Sequence, residues 1–156
     1  MPLSIFRVEL ADPRLVALVT ELDNYQTVLY PSGSDYSMPL DVMANAVTYP
    51  FLAEWDDKPI GCACLYLSEQ GIAEIKRVYV TPEGRGKNVA SQLIHKLEEQ
   101  LALLNMTALY LETGVYQEAA IGLYKKHGFS VTGPFGDYRY DPLSVYMVKP
   151  YPSVQP

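Results

Sequence analysis

The chain of 156 residues carries 18 acidic and 12 basic side chains, a formal charge of −6, with 49% hydrophobic and 19% charged residues. This is the balance of one folded domain spanning 1–156 with a real core, and its acidity argues against nucleic acid while favouring cationic partners such as amines. No run of about 18 apolar residues occurs, and Met1 to Arg7 lacks the basic start and long apolar stretch of a secretory signal, so a cytoplasmic, non-membrane protein is expected.

Ile5 to Glu9 reads as a first strand. Asp12-Pro13 supplies an N-cap and a first-turn proline for a helix through Leu15, Val16, Leu18, Val19 and Leu22. Tyr25 to Met38, with Pro31, Ser32, Gly33 and Ser34, reads as loop, and Pro39 restarts a short helix to about Val47. Phe51 to Trp55 and Ile60 to Leu67 are strands joined by the turn Asp56-Asp57-Lys58-Pro59. Cys62 and Cys64 share one face of the second. Strand neighbours so placed do not meet disulfide geometry, and zinc needs more Cys or His than cluster here, so both read as buried thiols. Glu69-Gln70-Gly71 turns into a β-branched run, Ile72 to Val80.

Val80-Thr81-Pro82-Glu83-Gly84-Arg85-Gly86-Lys87-Asn88-Val89-Ala90 then reads as a strand end, a glycine-bearing turn and the first turn of a helix. Apolar residues recur beyond it at Leu93, Ile94, Leu97, Leu101 and Leu104, which is helical spacing. A strand entering a helix in this way leaves several N–H groups unpaired and aimed at one point, with the helix dipole behind them. Such a turn suits a phosphate or pyrophosphate, and Arg85 and Lys87 add positive charge. A nucleotide-hydrolysing P-loop is excluded, because Asn88 follows Gly86-Lys87 where Ser or Thr belongs and Thr81 replaces the first glycine. A dinucleotide fingerprint also fails, since Val89 takes the third glycine's place after Gly84-x-Gly86.

Arg85-Gly86-Lys87-Asn88-Val89-Ala90 resembles the R/Q-x-x-G-x-G/A signature of the GNAT superfamily of N-acetyltransferases, with Asn88 in place of the usual glycine. Asn tolerates left-handed geometry and is a good N-cap, so the loop is expected to survive the change. The strand Leu109 to Thr113 precedes a second block, Gln117-x-x-Ala120-Ile121-x-Leu123-Tyr124-x-x-x-Gly128-Phe129. It is similar to the superfamily's N-x-x-A-x-x-[LF]-Y-x-x-x-G-F, with Gln117 in the Asn position. The two blocks cover roughly residues 60 to 130 in the family's order. Gly133 to Tyr138 and Ser144 to Met147 look like a bacterial subgroup of small GNAT enzymes.

The resemblance implies the GNAT acyl-CoA N-acyltransferase fold, an α/β (mixed α+β) architecture. Its central mixed sheet is flanked by helices, and two parallel strands splay to admit the pantetheine arm. It implies acetyl-CoA as acyl donor, with no metal. Arg85, Gly86, Lys87, Asn88, Val89 and Ala90 would hold the pyrophosphate, Val78, Tyr79 and Val80 would offer backbone bonds, and Gln117 would also contact the cofactor. Tyr124 matches the family's tyrosine near the cofactor sulfur, where a phenol can return a proton to the leaving thiolate. Glu74 is the expected base. Strand alternation groups it with Lys76, Val78 and Val80, and the plainer reading is an exposed carboxylate or an ion pair with Lys76. Glu112 on the adjacent strand is a second base candidate. Acceptor contacts are expected from Tyr30, Asp35 and Tyr36, with Tyr138 and Tyr140 closing the opposite side. His127 precedes Gly128 at a helix end and reads as a dipole partner, and His95 as a surface residue. The expected activity is acetyl transfer to the primary amine of a small or amino-acid-like acceptor. A protein or peptide acceptor and a non-catalytic acyl-CoA sensing module remain alternatives. Family members often form homodimers, and the sequence marks no interface.

Overall fold

The computed structural model describes residues 2–29, 43 and 47–152. Within them the chain runs β1 (Leu3–Arg7), α1 (Pro13–Leu29), β2 (Val47–Trp55), β3 (Lys58–Leu67), β4 (Ala73–Val80), a 3-10 turn (Pro82–Gly84), α2 (Val89–Leu103), β5 (Ala108–Gly114), α3 (Glu118–Lys126), β6 (Ser130–Thr132) and β7 (Ser144–Pro150). The described strands form one seven-stranded sheet in the order β1-β2-β3-β4-β5-β7-β6. Every neighbouring pair is antiparallel except β4 and β5.

Local chemistry explains the connections. Asp56 and Asp57 both take positive φ, 48° and 66°, the twisted two-residue turn that matches the strands it joins. Asp12 accepts from the Arg14 N–H through Oδ1 at 2.9 Å, capping α1 as expected. The helix then continues through Tyr25 to Leu29, where the Pro-Ser-Gly composition further on suggested loop. β2 begins at Val47 rather than Phe51, because Pro50 needs to donate no ladder bond while its carbonyl accepts from Val8 at 3.1 Å. Apart from Met43 and Val47, the segment from Pro39 to Val47 expected as a helix falls outside the described residues, and Val47 itself opens β2. At the end of the described chain Pro150 closes β7, and the Tyr151 N–H donates to Thr107 O at 2.8 Å.

Side-chain alternation sends the two faces of the sheet to different partners. On one face, Ala53, Ala63, Leu65, Ala73 and Ile75 pack with Val89, Leu93, Ile94, Leu97 and Leu101 of α2. On the other, Leu52 and Cys62 pack with Leu15, Leu18 and Val19 of α1. Burying each such leucine contributes roughly 1.5–3 kcal/mol. Cys62 and Cys64 are buried free thiols, and burial pushes Cys64 up to about 12.

The alternation breaks inside β4. Cys64 pairs with Lys76 and Cys62 with Tyr79, so Arg77 and Val78 together face Ala63. This is a β-bulge, and Arg77 takes φ 59° within it. Before the bulge, Ala73 and Ile75 face α2; after it, Val78 and Val80 do. The expected grouping of Glu74 and Lys76 with Val78 and Val80 is therefore wrong, because one extra residue moves every later side chain to the other face. Arg77 and Tyr79 turn toward α1, where Arg77 pairs with Asp23 and the Tyr79 hydroxyl donates to Glu21 at 3.1 Å.

Candidate active site

The parallel strands β4 and β5 pair only at Glu74–Tyr110 and Ile75–Leu111. Beyond those residues the two strands part. Val80 and Tyr79 remain paired with Gly61 and Cys62 of β3, and their other edge has no strand partner among the described residues. A sheet split in this way exposes backbone donors and acceptors in its interior, where a peptide-like chain can complete them.

The glycine turn lies at the end of the parted strand. Thr81 Oγ1 accepts from the Gly84 N–H at 3.2 Å and closes the 3-10 turn. A side chain at Gly84 would meet Val80 Cγ1 at 2.9 Å and Ile60 O at 3.0 Å, so this position admits only glycine without movement. Gly86 follows at φ 80° and Asn88 at φ 61°. Asn88 occupies the N-cap of α2, yet its side chain makes no cap hydrogen bond. The N–H groups of Gly86, Lys87, Asn88, Val89 and Ala90 donate to no backbone carbonyl among the described residues. Open donors at the start of a four-turn helix fit an anion. Lys87 lies beside them, with Nζ donating to Glu83 O at 3.1 Å and standing 5.1 Å from the Trp55 ring centroid. Arg85 is exposed. Gln117, at the N-cap of α3, is half-buried and likewise makes no side-chain cap bond.

A polar cluster occupies the acidic end of the parted strands. Glu74 and Lys76 form an ion pair at 3.1 Å, and their side chains are each only 9% exposed. The pair is thus buried, contrary to the expected exposed one. Tyr138, carried by the connection between β6 and β7, donates to Glu74 Oε2 at 2.6 Å and accepts from Lys76 Nζ at 3.0 Å. Burial and the neighbouring Glu74 charge push the Tyr138 phenol well above the usual range. Glu112 on β5 accepts from the Ser144 hydroxyl at 2.8 Å. Burial raises its carboxyl above the ordinary glutamate range, which the Ser144 hydrogen bond opposes. Aromatic rings wall the cluster: Phe135 packs against Tyr138 and Tyr110, with centroids 5.0 and 4.8 Å away, and Tyr146 lies 5.7 Å from Tyr138. Tyr66, which no sequence motif marked, and Ser144, which opens the Ser144 to Met147 block, join this environment because β3 and β7 run beside it.

Tyr124 lies on α3, which packs on the same side as α2. It is 6% exposed, and its ring meets Phe129 edge-on at 5.8 Å. Burial first, then the Glu112 charge, pushes its phenol upward. Its hydroxyl makes no hydrogen bond to the described residues, so the proton stays available. Tyr140, expected to close the pocket, is 77% exposed and is not part of this cluster. Tyr30, Asp35 and Tyr36 lie outside the described residues. His127 is the C-cap of α3 through its backbone N–H, while its imidazole, expected as a dipole partner, meets Ser91 Oγ through Nε2 at 2.9 Å and is pushed by burial toward the neutral form. With His95 and Glu98 it offers metal-type donors within 4.8 Å of one another, but Glu98 Oε2 already accepts from Lys149 Nζ at 2.6 Å and from the Tyr151 hydroxyl at 2.5 Å.

The family model of the GNAT acetyltransferases matches residues 15–129. This chain belongs to the GNAT acetyltransferase family. It is 39% identical to the IAA acetyltransferase of Azospirillum brasilense over 137 residues, covering 87% of this chain and 90% of the relative. It is 31% identical to YsnE, an uncharacterized N-acetyltransferase of Bacillus subtilis, over 144 residues, or 90% and 95% of the two chains. A solved structure from Klebsiella pneumoniae, assigned to the acyl-CoA N-acyltransferases, matches with a TM-score of 0.80 at 32% identity, covering 95% and 97% of the two chains. PaiA N-acetyltransferase of Thermoplasma acidophilum, solved with coenzyme A, shares the fold with a TM-score of 0.75 at 20% identity, over 97% and 100% of the chains. The GNAT fold expected from the two motif blocks is therefore present, and the family makes this protein an acetyl-CoA-dependent acyltransferase.

Proposed function

We propose that this GNAT enzyme transfers an acetyl group to the primary amine of a small or amino-acid-like acceptor by direct attack. The observation that carries the reading is the parting of β4 and β5 between two opposite charge environments. Open helix N–H groups lie at one side, and the buried carboxylates Glu74 and Glu112 at the other. Acetyl-CoA would bring an activated thioester. The N–H groups of Gly86 to Ala90, with Arg85 and Lys87, would hold its pyrophosphate. The free edges of Val78, Tyr79 and Val80 would pair with the pantetheine amides, with Gln117 opposite, and one of those N–H groups would steady the thioester oxygen as charge develops.

Glu74 would take the proton of the attacking amine, directly or through water, and Tyr124 would give its proton to the departing sulfur. A high phenol pKa suits Tyr124 to the second task, because it keeps the group protonated until a basic thiolate appears. Glu112 would attract the acceptor's positive charge. Tyr30, Asp35 and Tyr36 would complete the acceptor pocket. The name of the Azospirillum relative recommends IAA for inclusion in any survey.

Mass-detected acetyl transfer from acetyl-CoA to a panel of aliphatic and aromatic amines, amino acids and peptides tests this reading, with Tyr124→Phe as comparison. Product from the native protein and a loss of about a hundredfold in the variant is the expected result. Product confined to peptides would replace the small acceptor with a protein one. Cofactor binding without product anywhere would favour an acyl-CoA sensing module.

A further inference from the structure

We propose that Tyr138 is a positioning residue for the base: its phenol, locked between Glu74 and Lys76, commits one carboxylate oxygen and leaves the other aimed at the acceptor. This inference rests on the reading of Glu74 as the base.

The hydrogen-bond directions are dictated by chemistry. A lysine ammonium only donates, and it stands 3.0 Å from the Tyr138 oxygen. The single phenolic proton must therefore go to Glu74 Oε2, at 2.6 Å. Lys76 Nζ also reaches that same oxygen, at 3.1 Å. Oε2 thus carries both the phenol's hydrogen bond and the ion pair, while Glu74 Oε1 makes no hydrogen bond among the described residues. A carboxylate held this way presents one unengaged oxygen, the arrangement a proton acceptor needs.

The phenol is itself held from several sides. Phe135 and Tyr146 pack against its ring. Tyr146 donates to Arg139 O at 2.7 Å, and Gln70 Nε2 donates to Asp137 Oδ1 at 3.0 Å, tying down the residues on either side. Gly136 makes the bend at φ 58°. The charged and titratable groups facing Glu74 come from each neighbouring element: Lys76 on its own strand, Tyr66 on β3, Glu112 on β5 and Tyr138 from the connection. Among the described residues Tyr138 donates the side-chain hydrogen bond to it, and Lys76 pairs with it as an ion.

The test uses Tyr138→Phe, which keeps the ring and removes the hydroxyl, with Lys76→Met as a second variant and Glu74→Gln as reference. Carbon-13 NMR of glutamate-labelled native protein and variants needs no acceptor. The Glu74 carboxyl resonance is expected to move in Tyr138→Phe, because the hydrogen bond to Oε2 is gone. With saturating acetyl-CoA and the best amine from the panel, kcat is expected to fall about tenfold in Tyr138→Phe, with the acetyl-CoA KM unchanged and the acidic limb of the rate profile displaced upward. Adding Tyr138→Phe to Glu74→Gln is expected to cost nothing more. An unmoved Glu74 resonance in both Tyr138→Phe and Lys76→Met, or full additivity with Glu74→Gln, overturns the inference while leaving Glu74 as base. Full activity in Glu74→Gln instead removes the base reading itself.

Discussion

Ser91 and His127 meet at 2.9 Å, linking the first turn of α2 to the C-cap of α3. The helix that presents open N–H groups is thus joined to the helix that carries Tyr124. Burial and the nearby His95 lower the His127 pKa below its ordinary value near 6.5. A histidine kept neutral by folding takes up its proton more readily in the unfolded chain. Stability from this contact is full above about pH 6.5 and is lost as pH falls through the lower folded value. Thermal unfolding at pH 8 and pH 5.5 should show a larger drop for native protein than for His127→Gln. Equal drops would show that His127 does not carry the effect.

Glu112 should behave in the opposite sense. Its folded pKa is raised, mainly by burial, so folding favours the protonated acid. Stability from this group is present below the ordinary value near 4.5 and is lost as pH rises through the folded value. Glu112→Gln keeps an acceptor for Ser144 and removes the buried charge. It is expected to melt higher than native protein at pH 8, with the difference closing near pH 4. A variant less stable at both pH values would mean that the Ser144 hydrogen bond outweighs the cost of burying charge.

Gly84→Ala forces a methyl group against the Ile60 carbonyl and Val80. Overpacking of this kind costs about 1–3 kcal/mol, measurable by urea unfolding. The displaced turn should also raise the acetyl-CoA KM. Wild-type stability together with unchanged KM would show that the turn can absorb the methyl group.

Asn88 offers a complementary comparison. At φ 61° a residue such as alanine costs about 1–2 kcal/mol, whereas glycine relieves the strain. Asn88→Gly is expected to equal or exceed native stability and to keep cofactor affinity, since the asparagine side chain makes no cap bond. Asn88→Ala should lose both. Loss in Asn88→Gly as well would assign the asparagine side chain a direct contact with the cofactor.

Lys87 contacts both the Glu83 carbonyl and the Trp55 face while standing beside the open N–H groups. Replacing Arg85 and Lys87 together by alanine should raise the acetyl-CoA KM several-fold and flatten its dependence on ionic strength, as expected when two charges screened by salt are removed. Titrating KM between 20 and 300 mM sodium chloride, roughly a fourfold span of Debye length, reads this directly. An unchanged salt slope would show that the helix N-terminus alone holds the anion.

The sequence by itself determined the local features of this protein. The glycine turn, the apolar stripe of α2 and the strand-to-helix transitions depend on short-range backbone and periodicity rules, and they appear where those rules place them. The motif around Tyr124 likewise put that residue on a helix ending at Gly128. What only the tertiary structure decided begins at Arg77. Its left-handed backbone interrupts β4 without a glycine to announce it, so an unbroken alternation assigned Val78 and Val80 to the wrong face. The partnership of Glu74 with Tyr138 spans 64 residues and depends on the aromatic packing of an irregular connection, which no periodicity encodes. Burial then turned an apparent surface ion pair into a buried one, because β3, β5 and the 133–139 connection close around Glu74 and Lys76 only when the sheet assembles.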